Sequence, residues 1–232
     1  MEDKIIVALD VSEKERAEKI IEKLSSSVKY FKVGLELYSS EGNNIVKEIK
    51  RKGFQVFLDL KLHDIPNTVA NTIRNIAELK PSMVTVHTLG GGQMLEAAVA
   101  AARESYPEMK ILGVTVLTSL DKKSLFSMGI EISEKDLVSK LAKLAFDSGC
   151  DGIVCSAQDL GDIREEYPPP FLVVIPGIRL PEDELADQRK VSHPCLAFEK
   201  GADFIVLGRS ITNKEQPELA IKRLLEICKS AG

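Results

Sequence analysis

Short runs of apolar, largely β-branched residues alternate with longer amphipathic segments from one end of the chain to the other. Several runs are apolar throughout, such as IIVAL and FLVVI, which is typical of parallel strands covered on both faces. Eight strand-then-helix units predict an α/β fold, a single-domain (β/α)8 TIM barrel spanning residues 1–232. The predicted strands cover residues 5–10, 30–33, 55–60, 83–87, 110–117, 152–155, 171–175 and 204–207.

The structural alternative is a doubly wound open sheet with helices on both faces. Such sheets commonly bind dinucleotides through a glycine-rich GxGxxG motif that follows the first strand. The first predicted strand has no such motif after it. Dinucleotide binding therefore loses its main support, and the barrel remains the favoured architecture.

Charge and cysteine content limit the functional classes. Lys and Arg total 31 against 35 acidic residues, and a net charge of -4 predicts neither a nucleic-acid partner nor an anionic membrane partner. The apolar runs are too short to span a bilayer, and the N-terminal residues do not resemble a targeting segment. Four cysteines without CxxC or paired spacing predict reduced thiols in a cytoplasmic protein. An anionic ligand would be small and met by local cations.

Polar and charged residues lie where the predicted strands end. A TIM barrel builds its active site from the loops at this end of the strands, so these positions are candidate site residues. The sequence therefore predicts an active site at the carboxyl ends of the strands. The residues are Asp10, Lys32, Asp59, Lys61, His87, Thr118, Ser156, Arg179, Gly208 and Arg209.

The segment from residue 57 to residue 68 is the richest in chemistry. Asp59 and Lys61 share one face of a strand and should touch, and Asp64 lies just past the strand. A lysine held between two carboxylates keeps its positive charge. It is suited to stabilising a carbanion and donating a proton, and unsuited to forming a Schiff base. The alternative is a structural ion pair with Asp64 as a helix N-cap.

The ends of the last two strands carry glycine and arginine. Gly177 and Arg179 follow strand seven, and Gly208 and Arg209 follow strand eight, where barrels of this type bind phosphate. The alternative is that the glycines merely allow tight turns and the arginines are surface side chains. The polar stretch 180–192 is long enough to form a lid, and its Gln188 is a neutral donor that could reach a phosphate.

An ordered set of motifs resembles the orotidine 5'-phosphate decarboxylase family. The string DxKxxDIPNT at residues 59–68 is similar to the family signature, and the match extends along nearly the whole chain. The DxK pair alone is a weak signal, whereas the ordered set is strong. The further matching motifs are VALD at 7–10, FKVG at 31–34, LTS at 117–119, PGIR at 176–179, Gln188, and LGRSIT at 207–212.

The resemblance implies a carboxy-lyase that converts orotidine 5'-phosphate to UMP and CO₂, the last step of UMP biosynthesis, without a cofactor or metal. It implies that Lys61 donates the proton to C6 of the pyrimidine, with Asp59 and Lys32 completing a charged network. By the same resemblance, Asp10 binds a ribose hydroxyl and Thr118 meets the pyrimidine edge.

The resemblance also implies a phosphate grip and a shared active site. The grip would consist of Arg179, Gln188, Gly208 and Arg209. The family's enzymes are homodimers, in which Asp64, Ile65 and Thr68 of one chain reach the site of its partner.

Other functions share parts of this pattern. A Mg²⁺-dependent sugar-phosphate decarboxylase or hexulose-phosphate synthase of the same superfamily shares the DxKxxD core, but typically carries a carboxylate where this chain has Lys32. A lysine-dependent aldolase conflicts with a lysine among acids. A catalytically silent phosphate-binding barrel would have no need for that lysine. The scattered His63, His87 and His193 do not predict a metal site.

Overall fold

Parallel strands, hydrogen-bonded in sequence order, close into a barrel in the computed structural model, which describes residues 2–179 and 193–230. The closed order β1 to β8, with β8 pairing back onto β1, confirms the (β/α)8 prediction and excludes the open sheet. In the described ranges the strands are β1 (Ile5–Ala8), β2 (Tyr30–Gly34), β3 (Gln55–Leu62), β4 (Met83–His87), β5 (Lys110–Val114), β6 (Gly152–Val154), β7 (Leu172–Ile178) and β8 (Phe204–Leu207).

The helices form because their apolar residues recur every three or four positions and can pack on the sheet. In the first helix the buried residues are Ala17, Ile20, Ile21 and Leu24, the positions that the periodicity predicts. The described helices are α1 (Lys14–Leu24), α2 (Leu35–Glu41), α3 (Asn43–Arg51), α4 (Pro66–Ala77), α5 (Gly92–Ser105), α6 (Lys122–Ser127), α7 (Glu134–Asp147), α8 (Leu160–Glu166), α9 (Pro194–Glu199), α10 (Arg209–Thr212) and α11 (Pro217–Ser230). In the part of the chain that the structure describes, no helix combines the length and apolar character needed to cross a membrane.

Strand alternation divides the core into two layers. Ile5 and Val7 belong to the large cluster between sheet and helices, whereas Ile6 and Ala8 belong to a smaller cluster inside the barrel. Every second residue of a strand therefore faces the barrel axis. Because this period continues to the strand end, Asp10 comes next after Ile6 and Ala8 on the inward side, at the mouth.

Several strand ends differ from the prediction. The predicted strand 5–10 stops at Ala8 and the predicted strand 110–117 stops at Val114, whereas β3 and β7 run two or three residues further than expected. Val116 and Leu117 are apolar because they line a cavity at the barrel mouth, although they pair with no strand. An apolar run indicates which residues are buried, and buried residues continue past the last hydrogen-bonded pair of the strand. The end of the run therefore does not mark the end of the strand.

The prediction that all four cysteines are reduced is wrong for one pair. Cys195 of α9 and Cys228 of α11 form a disulfide, whereas Cys150 and Cys155 are buried free thiols. Burial raises the pKa of the Cys150 thiol to about 12, so it is an unreactive thiol at neutral pH. The 33-residue separation carries no pairing signal, because the two helices become neighbours only when the barrel brings them together.

Candidate active site

A cavity of about 250 Å³ opens at the carboxyl ends of the strands, where the barrel predicts an active site. Most of the residues predicted from the sequence line this one cavity, although they come from six different strand ends. The predicted residues on its wall are Asp10, Lys32, Asp59, Lys61, Thr118, Arg179, Gly208 and Arg209. Gln188 and the predicted lid 180–192 lie outside the described residues.

Four charged side chains of alternating sign form a row along one wall of the cavity. Lys32 Nζ lies 2.7 Å from Asp10 Oδ1 and 3.6 Å from Asp59 Oδ2. Lys61 Nζ lies 2.9 Å from both carboxylate oxygens of Asp59. The row therefore reads Asp10, Lys32, Asp59, Lys61, and its two positive and two negative charges balance. Short ion pairs of this kind hold each ammonium group in a fixed position.

Asp59 is the most enclosed carboxylate of this row, with 12% of its side chain exposed. Burial alone would raise the pKa of Asp59. The Lys32 and Lys61 ammonium groups, with hydrogen bonds from Lys61 and Thr85, outweigh burial and lower the pKa of Asp59 below its usual value. Asp59 is therefore a carboxylate anion at neutral pH, and it anchors both lysines.

The backbone at Lys61 departs from regular strand geometry. The pairing of β3 with β4 shifts between Leu58 and Leu62, and Lys61 has φ of 49°, a left-handed conformation that disfavours residues with a Cβ. Among the described residues, Lys80 is the only other non-glycine with positive φ. The irregularity lies at the candidate proton donor, where backbone strain commonly accompanies function.

Thr85 lies beneath the row and bonds to two of its residues. It is not among the site residues predicted from the sequence. The Lys61 backbone N–H donates to Thr85 Oγ1 at 2.8 Å, and the Thr85 hydroxyl donates to Asp59 Oδ1 at 3.0 Å. The signal that could have found it is the period of two in β4. Val84 and Val86 face the helices, so Thr85 faces the barrel interior between Met83 and His87.

The ends of β7 and β8 lie across the cavity mouth from β3. The pairing of β7 with β8 shifts between Ile175 and Ile178, and this irregular part of the strand contains Gly177 at φ of 73°. Barrel closure brings the end of β8 next to that of β1, since a Cβ built on Gly208 would lie 3.8 Å from Asp10 Oδ2. Arg179 and Arg209 on the cavity wall supply the cations that an anionic group would need.

Much of the remaining cavity wall is apolar. It suits the flat face of an aromatic ring, because such a ring loses little by leaving water on that side. Thr118 lines the same cavity. The apolar lining residues are Val114, Val116, Leu117, Val154, Ile178 and Val206.

Lys61 does not lie between Asp59 and Asp64 of the same chain. Asp64 is exposed and accepts a hydrogen bond from the backbone N–H of Ile65 at 2.7 Å, and it makes no ion pair with Lys61. The cation between two carboxylates is instead Lys32. Spacing along the sequence favours Asp64, whereas the pairing of β2 with β3 brings Lys32 next to Asp59. The N-cap alternative for Asp64 also fails, because Ile65 holds that position of α4.

The histidines lie beside this row or away from it. The rings of His63 and His87 stack with centroids 5.5 Å apart. Burial, then His63 and Lys61, lower the pKa of His87, so it is neutral at pH 7. His193 holds the N-cap position of α9. In residues 2–179 and 193–230, no three His, Cys, Asp or Glu side chains are grouped as metal ligands.

Comparison with known proteins shows which family the chain belongs to. The model of the orotidine 5'-phosphate decarboxylase / HUMPS family matches residues 3–224. The chain is 45% identical over 230 residues to orotidine 5'-phosphate decarboxylase of Carboxydothermus hydrogenoformans, covering 97% of this chain and 96% of the relative. The Moorella thermoacetica enzyme of the same name is 43% identical over 228 residues, covering 96% and 90%.

A solved structure shows the same fold. The crystal structure of orotidine 5'-phosphate decarboxylase from Lactobacillus acidophilus superimposes with a TM-score of 0.86 at 36% identity, covering 97% of this chain and 98% of that one. Sequence relatives, structural neighbour and family model agree over nearly the full length. The chain therefore belongs to the orotidine 5'-phosphate decarboxylase / HUMPS family.

Proposed function

We propose that this protein is a carboxy-lyase that converts orotidine 5'-phosphate to UMP and CO₂, the last step of UMP biosynthesis. The observation that carries the proposal is the row Asp10–Lys32–Asp59–Lys61 on one wall of a cavity whose other wall is apolar and whose mouth carries two arginines. Relatives that bear the name of this activity share the chain's full length.

The reaction leaves a carbanion at C6 of the pyrimidine. The C6–carboxyl bond breaks, its electron pair stays on C6, and CO₂ departs. The Lys61 ammonium group stabilises that negative charge and then transfers a proton from Nζ to C6, which yields UMP. The neutral amine regains a proton from water. Because the ammonium is already fixed by Asp59, little reorganisation is needed as the charge develops.

Lys32 and Asp10 would bind the ribose and hold the row in place. Lys32 contacts both carboxylates, so a ribose hydroxyl that bonds to Asp10 is linked through Lys32 to Asp59. Thr118 would donate to, or accept from, the pyrimidine edge. The sugar and the base are thus held by groups connected to the reacting centre.

The phosphate would bind at the β7–β8 end of the cavity. Arg179 and Arg209 provide charge-assisted contacts. Because Gly177 and Gly208 carry no side chain, backbone N–H groups there can come close to phosphate oxygens. Gln188 is proposed as a further phosphate donor from the segment 180–192. Binding energy gained there fixes the pyrimidine against Lys61, so it raises the rate of a step that occurs elsewhere.

Cofactor-free chemistry is proposed over a Mg²⁺-dependent reaction on a sugar phosphate. The Lys32 ammonium, 2.7 Å from Asp10 and 3.6 Å from Asp59, occupies the space between the two carboxylates. A divalent cation bound by both carboxylates would have to displace it, against like-charge repulsion. The row therefore supplies by itself the positive charge that a metal would supply in the alternative.

A homodimer with shared active sites, located in the cytoplasm, completes the proposal. Asp64, Ile65 and Thr68 are exposed and lie outside the lining of this chain's own cavity. Ile65 is an apolar residue that is 66% exposed. Both features are expected of residues that reach a partner's cavity.

The proposed reaction is tested by the absorbance of orotidine 5'-phosphate mixed with purified protein that has been treated with a chelator. We expect the substrate absorbance to fall and UMP to accumulate at the same rate with and without chelator. No conversion would refute the assigned substrate, and conversion that stops on chelation would refute the cofactor-free mechanism.

The shared site is tested by mixing two inactive variants, Lys61→Ala and Asp64→Ala. A mixed dimer carries one intact site, so random mixing should restore about one quarter of wild-type activity. Each variant alone is the control. A mixed dimer verified by native mass spectrometry and without activity would contradict a site built from two chains.

A further inference from the structure

Thr85 lies in the middle of β4 and points into the barrel, directly beneath the charged row. Its side chain is fully buried, and it is not among the residues that line the cavity. A bound substrate would therefore touch Lys61 and Asp59 but not Thr85. Any influence of Thr85 on the reaction must pass through these two residues.

The hydroxyl of Thr85 joins the backbone of Lys61 to the carboxylate that binds the same lysine's amine. It accepts from the Lys61 N–H at 2.8 Å and donates to Asp59 Oδ1 at 3.0 Å. Lys61 Nζ then lies 2.9 Å from that oxygen, so the contacts form a closed ring. A hydroxyl can close this ring because it accepts and donates at once.

The irregular pairing of β3 explains why a side chain is needed here. Between Leu58 and Leu62 the regular ladder to β4 is interrupted, and the Lys61 N–H donates to the Thr85 side chain. Unpaired backbone N–H groups beneath a cavity are costly. Thr85 pairs that N–H and so supports the left-handed conformation of Lys61.

We propose that Thr85 is a positioning residue, whose hydroxyl fixes the Lys61 ammonium at the reacting centre by holding both the Lys61 backbone and the Asp59 carboxylate. The proposal rests on the proposed function only in that it names Lys61 as the proton donor. Its structural part, that Thr85 sets the position of Lys61, stands independently of the substrate.

The chain contains a matched control for the loss of a buried threonine hydroxyl. Thr88 is also fully buried, and its hydroxyl donates to the backbone carbonyl of Val114 at 2.7 Å, with no link to the charged row. Thr88→Val thus removes a hydrogen bond made by a threonine that is as buried as Thr85. Any loss specific to Thr85 must come from its two partners.

The test compares kcat and KM for orotidine 5'-phosphate in Thr85→Val, Thr85→Ser and Thr88→Val. We expect Thr85→Val to lower kcat roughly 10- to 100-fold because Lys61 loses its fixed position, with KM within about twofold of wild type. Thr85→Ser keeps the hydroxyl, and Thr88→Val leaves the row intact, so each should retain kcat within about threefold. Equal kcat in Thr85→Val and Thr88→Val, or equal losses in Thr85→Val and Thr85→Ser, would overturn the proposal.

Two further measurements keep the proposal decidable. If Thr85→Val does not fold, Thr85→Cys replaces it, since a thiol matches serine in shape but is a weak donor. A kcat at least about tenfold below that of Thr85→Ser supports the proposal, and an equal kcat overturns it. If wild type fails to convert orotidine 5'-phosphate, the proposed function fails, and crystal structures of wild type and the variant decide. Lys61 moved from Asp59 or relaxed to negative φ supports positioning, and an unchanged Lys61 overturns it.

Discussion

The regular strand pairing of the barrel is interrupted near the ends of β3 and β7, and the two interruptions differ. Leu58 pairs with Val84 and Leu62 pairs with Val86, so β3 advances four residues where β4 advances two. Two extra residues are therefore inserted in β3. On β7, three steps face two, and one residue is inserted. The left-handed position is a lysine on β3, Lys61 at φ of 49°, and a glycine on β7, Gly177 at φ of 73°.

The difference follows from what each strand end provides. A left-handed residue with a Cβ costs about 1–2 kcal/mol, a cost that glycine avoids. Where an anion is to be met by backbone N–H groups, as proposed at β7, glycine serves without strain. Where the ammonium of a side chain is required, as proposed at β3, the strain is retained and is supported by neighbouring contacts. Thr85 and Asp59 provide those contacts.

The largest expected effect comes from removing the ammonium at β3. Lys61→Ala should lower kcat roughly 10⁴-fold or more, because it removes both the stabilising charge and the proton donor. Lys80→Ala is the matched control, since Lys80 is also a lysine at positive φ, is exposed and lies outside the cavity lining. It should leave kcat unchanged. A folded Lys61→Ala protein with near-normal kcat would remove Lys61 from the mechanism.

Substitutions at the β7–β8 end of the cavity should change KM more than kcat. Arg209→Ala should raise KM roughly 100-fold, because a charge-assisted contact to phosphate is lost. Lys200→Ala, an exposed cation that follows α9, serves as the control for lost surface charge. Steady-state kinetics with orotidine 5'-phosphate separate the two parameters. An unchanged KM would move the phosphate site away from β8.

Exchanging residue types at the two left-handed positions should change stability in opposite directions. Lys61→Gly should be more stable than Lys61→Ala by about 1–2 kcal/mol, although both are inactive, because only glycine accepts this φ freely. Gly177→Ala should be less stable than wild type by about 1–2 kcal/mol and should also raise KM. Urea denaturation measures each difference.

Gly53 controls for strain alone. It has φ of 90° with open space around it, and it lies outside the cavity lining, so Gly53→Ala should lose stability without a change in KM. If Lys61→Ala is as stable as Lys61→Gly, the backbone at Lys61 is not strained and the contrast between the two strand ends disappears.

The smallest expected effect is a pH dependence confined to acid. The pKa of Asp59 is lower in the folded protein than its usual value, so this residue stabilises the fold above that usual value. The contribution is lost as the pH falls through the lowered pKa. The stability difference between wild type and Asp59→Asn should therefore shrink in acid.

Asp159 provides a control of opposite sign. Burial raises the pKa of Asp159, so wild type should gain stability relative to Asp159→Asn as the pH falls. Thermal unfolding between about pH 3 and pH 7 covers the range in which unfolded carboxylates titrate. Parallel curves for the two variants would show that Asp59 is not held by the lysines.

Much of the barrel could be predicted because its signals are local. A run such as IIVA on β1 is apolar on both faces, and each helix shows its own period, so strand and helix order follow from the sequence. The positions that face the cavity also follow, because side chains alternate along each strand. This is why Asp10 and Asp59 can be named without a structure, whereas Arg209 follows from its position just after β8.

Contacts between strands could not be predicted in the same way. The spacing along the sequence places Asp64 near Lys61. That Lys32 adjoins Asp59 is implied by the family resemblance and not by the spacing, and the pairing of β2 with β3 brings the two side chains together. Thr85 is a common residue in strands, so its link to the Lys61 backbone depends on an irregularity that no periodicity reveals. The Cys195–Cys228 pair likewise depends on how two distant helices pack.

The most direct test of the central claim is a crystal structure of the protein with UMP bound. We expect Lys61 Nζ about 3–3.5 Å from C6 of the pyrimidine and still paired with Asp59. The phosphate should lie between Gly177 and Gly208, in contact with Arg209. A structure in which Lys61 points into solvent while UMP fills the cavity would contradict the account.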